Sequence, residues 1–142
     1  MEEGFRNRAQ SVLELLAADT TAFVLVASPR RDAVTEALYF SERLAESAID
    51  VQALVVNRVH PRFGDGDGAQ ARALSSEGGP LAALRANLAD LQQIATREEA
   101  HLADLTAQVE PAPVIRVPVL ASDVHDLPGL TEVGRHLFAL QP

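Results

Sequence analysis

TAFVLVASPRRDAVTEALYFSERLAESAIDVQALVVNRV, residues 21–59, decides the fold. Two apolar runs, 23–27 and 51–56, flank a segment in which Val34, Leu38, Phe40, Leu44 and Ile49 recur at helical spacing. Short apolar runs bounded by turn residues read as strands and the period between them as a helix, so the stretch predicts a βαβ unit. The runs are rich in Val and Leu and end in Ser28-Pro29 and Asn57-Arg58. Both strands are therefore expected to be buried on both faces, as in a parallel sheet. Ligands of such sheets collect at the carboxyl ends of the strands, which places Asn57 at the rim of a site.

Outward from this unit, residues 1–20 carry a short amphipathic helix with apolar positions Phe5, Ala9, Val12, Leu13, Leu15 and Leu16. It is expected to end near Asp19 and to cover the sheet. Pro29, Arg30, Arg31 and Asp32 suit the first turn of the middle helix, which runs to about Ser47. Residues 60–79 read as a flexible loop, because Gly64, Gly66 and Gly68 crowd one short stretch. That stretch is acidic and would repel phosphate, and it lacks the spacing and terminal Glu of a calcium loop. Residues 80–110 predict a long helix, roughly 43 Å at 1.5 Å per residue, that overhangs a small sheet. Its Leu81, Leu84, Leu88, Leu91, Ala95, Glu98, Leu102, Leu105 and Val109 form a heptad seam interrupted once by Glu98, with room for a break near Ala95. Pro111 and Pro113 close this helix; a third strand, 114–117, ends at Pro118, and a last helix spans about 128–139 within residues 111–142. The order predicts one three-layer α/β domain over residues 1–142, a short parallel sheet of about three strands with helices on both faces.

Composition removes several classes of function. The chain has 142 residues, 47% of them hydrophobic, enough for one domain with a core. A net charge of −8 gives no broad attraction to nucleic acid or to anionic membranes. No apolar run approaches the roughly 18 residues of a membrane span, and the opening MEEGFRNR lacks the apolar core of a secretory signal. The expectation is a cytoplasmic protein without direct membrane insertion. Cysteine is absent, which excludes disulfides, thiolate metal sites and cysteine nucleophiles. Lysine is absent too: all 12 basic residues are Arg, so neither GxxxxGK[ST] nor the strand-end Lys of a receiver domain occurs. No GxSxG elbow is present, and Ser28 reads as a turn residue.

Three segments, TAFVLVASPRRDAVTEALYFSERL, VQALVVNRVHP and VIRVPVLASDVHDLPGL, carry a resemblance in their order and spacing. Together they are similar to the C-terminal part of the arsenical pump-driving, or anion-transporting, ATPases, which include the eukaryotic ATPase that targets tail-anchored membrane proteins. The resemblance covers about residues 21–139 and implies the C-terminal portion of a P-loop NTPase-type fold. It implies that Asn57 hydrogen-bonds adenine, that Pro118 flanks the base, and that the loop after the third strand, with Val119 and Asp123, wraps the base and sugar of ATP. The P-loop, the Mg²⁺ site and the hydrolytic residue belong to the family's N-terminal half. This chain would therefore hold no catalytic residue, and would support ATP hydrolysis only with a P-loop half supplied elsewhere in a longer chain or by a partner subunit. Arg30 stands where many relatives carry a nucleotide-contacting glutamate. With no CxxC, a zinc-clasped dimer is excluded, though another homodimer is not.

An amide offers both a donor and an acceptor to a base edge, which makes the role of Asn57 chemically sensible. On the residues alone, Asn57 reads first as a turn residue satisfying its own backbone, and Pro118 equally as a strand terminator. His125, between Asp123 and Asp126, lies in a loop that could contact ribose, and His60 could line the same pocket; His101 and His136 fall on helix faces. A reading from a different class is a nucleotide-free interaction or dimerisation domain that pairs through the heptad helix 81–109.

Overall fold

The computed structural model describes residues 2–16, 18 and 20–138. After α1 (Glu2–Leu16) come β1 (Phe23–Ala27), α2 (Arg31–Glu46) and β2 (Val51–Val59); then α3 (Ala69–Ser76), α4 (Ala82–Gln108), β3 (Val114–Pro118) and α5 (Leu127–Phe138). The strands are parallel in the order β1-β2-β3. Successive crossovers of one hand that step in one direction lay their helices on the same face of a sheet. Here Val34 and Ala37 of α2 and Leu102 and Leu105 of α4 close together over Leu25, Ala27, Leu54 and Val56. On the opposite face α5 packs against β3. The result is a small α/β domain, a three-stranded parallel sheet with helices on both sides.

Several expectations give way to the packing. β2 is buried on both faces through Leu54, Val55 and Val56, but β1 is not: Val24 is 55% and Val26 is 62% exposed. α5 lies over β3 and leaves this edge of the second face open. Among the described side chains of α1, Val12 and Leu15 are exposed rather than packed on the sheet. The Phe5 and Leu13 side chains, and the expected helix ends at Asp19 and Ala139, lie outside the described residues. Phe40, expected on the buried stripe of α2, is exposed as well.

Residues 60–79 are not one flexible loop, because they contain α3 and are tethered to α4. The His60 N–H donates to Glu98 Oε2 (2.8 Å), Arg62 Nη2 to Thr96 Oγ1 (3.2 Å), and the Gln92 side-chain amide to the Phe63 carbonyl oxygen (2.6 Å). α4 is a single helix of 27 residues, about 40 Å long, with no break at Ala95. Toward its C-terminus the expected seam is buried at Leu102, Leu105 and Val109. Toward its N-terminus the buried stripe shifts to Ala89 and Gln92, while Leu81 and Leu84 are exposed. The loop leading into α3 comes too close for leucine: a Cβ on Gly68 would lie 2.5 Å from the Ala89 carbonyl oxygen. Much of the predicted seam is thus spent on the domain's own core rather than left free to pair helices.

Candidate functional site

Strand alternation sets the two faces of β2. Leu54 and Val56 enter the core under α2 and α4, so Val55 and Asn57 fall on the second face, where Asn57 pairs in register with Val117 of β3. The register then slips: Val59 pairs with Pro118, and Arg58 between them is left without a partner at φ +64°. One extra residue in one strand is a β-bulge. The ladder continues beyond it, with the Val119 N–H donating to the Val59 carbonyl oxygen at 2.9 Å. β2 therefore runs past Asn57, where the apolar run alone would end it.

Above this point lies a groove of about 520 Å³, within the range of small-molecule sites. Val24, Val26, Val55 and Val117 make its floor, and Val133 and Leu137 of α5 one wall. The rim comes from Asn57 and Arg58 on one side and from the segment after β3, with Pro118, Val119, Ser122 and Asp123, on the other. Asp126 holds that segment by capping α5: its Oδ1 accepts the Gly129 N–H at 2.8 Å and its carbonyl oxygen the Leu130 N–H at 3.0 Å. The His125 ring Nδ1–H donates to the Asp123 carbonyl oxygen at 2.8 Å.

All four residues singled out in the sequence, Asn57, Pro118, Val119 and Asp123, line this one groove. The Asn57 amide makes no hydrogen bond to its own backbone, as a turn residue would, and has no partner among the described residues. Apolar walls, one neutral amide, one carboxylate and one guanidinium suit a flat, largely apolar ligand with a polar edge. Arg58 is the charged lining residue that sequence reasoning missed; only its position beside Asn57 hinted at it, because a bulge depends on register with another strand.

Other candidates lie elsewhere. His60 does not reach the groove. Its Nδ1 pairs with Glu98 Oε1 at 2.6 Å on the α4 face, in a hollow shared with Val59, Arg62 and Arg116. Arg30 is engaged by Asp32 through two bonds of 3.2 and 2.9 Å, and this guanidinium holds the Asp32 carboxyl below its usual range. His101 is half-buried on α4, and His136 sits 3.7 Å from Glu132 on α5. A second hollow of about 470 Å³ opens at the amino ends of β2 and β3, between Asp50, Gln52 and Glu110, the end of a parallel sheet where ligands do not collect.

A scan against protein-family models finds no match for this chain, and a search of curated proteins finds none either. Among the described residues no helix is long and apolar enough to cross a membrane.

Proposed function

We propose that this domain binds the base of an adenine nucleotide in the groove at the carboxyl ends of β2 and β3. One observation carries the reading: Asn57, at the end of one apolar run, is distant in the chain from the short stretch holding Pro118, Val119 and Asp123, yet all four line a single apolar-walled groove. The Asn57 amide accepts from the adenine 6-amino group and donates to the adjacent ring nitrogen. Pro118 and the valines supply flat apolar walls, and Asp123 stands where a ribose hydroxyl can donate to it.

In this proposal the domain is the base-side portion of an ATPase of the anion-transporting kind. A P-loop segment, elsewhere in a longer chain or in a partner subunit, supplies the phosphate cradle and the Mg²⁺ that such chemistry requires. The residues here orient the base, while hydrolysis belongs to that other segment.

A calorimetric titration with ATP and with GTP tests the assignment. Saturable binding that prefers ATP, and about a tenfold loss of affinity with loss of that preference in Asn57→Ala, is the expected result. An Asn57→Ala protein that binds both nucleotides as the wild type does would refute the role of the amide.

A further inference from the structure

We infer that Arg58 is a ligand-binding residue of this groove, and that it makes the groove select the phosphate-bearing form of an aromatic base over the neutral nucleoside. The inference rests on the base-binding reading and adds the charge that the reading leaves out.

Three observations converge on Arg58. First, regular alternation would send residue 58 to the α4 face, where Leu54 and Val56 already point. The bulge gives that core-side place to Val59, which packs against the hydrophobic core, and both Asn57 and Arg58 line the groove. Bulges recur next to binding sites because they re-aim a side chain in this way. Second, Arg58 adopts φ +64°, a left-handed conformation disfavoured for a residue with a Cβ. Glycine or asparagine would satisfy such a bulge at lower cost, so an arginine held there needs a return from its side chain. Third, Arg58 is the one cation among the described residues that line the groove, and it forms no ion pair among them. In a chain of net charge −8 that also places Asp123 on the same groove, an anionic ligand needs this guanidinium.

The test titrates AMP and adenosine, which need no P-loop, into the wild type, Arg58→Gly and Asn57→Ala, and records thermal midpoints alongside. Glycine removes the side chain and suits the left-handed backbone, so Arg58→Gly keeps a midpoint at or above the wild type. The wild type is expected to bind AMP more tightly than adenosine. Arg58→Gly loses about tenfold for AMP and leaves adenosine within about twofold, while Asn57→Ala weakens both ligands. If Arg58→Gly binds AMP as the wild type does while Asn57→Ala loses both ligands, the inference falls and the base site stands. Equal losses for AMP and adenosine in Arg58→Gly, or a clear drop in its midpoint, would also overturn it, the latter by making Arg58 a structural residue. If the wild type binds neither ligand, the base site and the inference fall together.

Discussion

Gly68 sits at φ +94°, and a Cβ there would come within 2.5 Å of the Ala89 carbonyl oxygen. Both the backbone conformation and the closeness of α4 require glycine. Gly68→Ala is accordingly expected to cost about 2–3 kcal/mol, read as a lowered urea midpoint with an unchanged slope. A loss under about 0.5 kcal/mol would mean that the loop leading into α3 does not press on α4 as described. Gln92 belongs to the same contact: only 7% exposed, it keeps its amide satisfied on the Phe63 carbonyl oxygen at 2.6 Å. These constraints were hidden in the sequence, where the glycines of residues 62–68 looked like simple flexibility. A glycine required by a neighbour and a glycine that loosens a loop read alike until the neighbour is known.

At the scale of elements, what was legible is what local pattern determines. β1 is the apolar run 23–27 and β3 is the run closed by Pro118, because strand limits here follow turn residues adjacent in the chain. α3 was missed because AQARALSS carries only Leu74 as a large apolar residue and follows a glycine-rich stretch, and because its burial comes from α4 through Ala71. On α4 the heptad pattern located the helix, its C-terminal core face and the buried Ala95, but it also put Leu81 and Leu84 in the seam, where they are exposed, and left out the buried Ala89 and Gln92. Leu102→Ala should therefore cost about 3 kcal/mol by opening a cavity under the sheet, whereas Leu84→Ala, at a site 64% exposed, should stay within about 0.5 kcal/mol. Paired denaturant melts of the two variants check this. Similar losses at both positions would indicate that the N-terminal leucines pack as the heptad pattern suggested.

At the scale of the whole molecule, the sheet gives each outer strand a single neighbour, and the second face beside β1 stays open at Val24 and Val26. The groove of about 520 Å³ lies on that face, at the carboxyl ends of β2 and β3, between α5 and the bulge at Arg58. The four residues chosen from the sequence arrive there because strand parity and the β2–β3 register put them there; the register itself, and with it Arg58, needed the third dimension. Nuclear magnetic resonance of the isotopically labelled chain during titration with AMP tests this site most directly. Saturable shifts confined to the amides of Asn57, Arg58 and residues 117–124, with α3 and the N-terminal half of α4 silent, are the predicted result. Shifts centred on the hollow at Asp50 and Glu110, or no shifts at all, would contradict it.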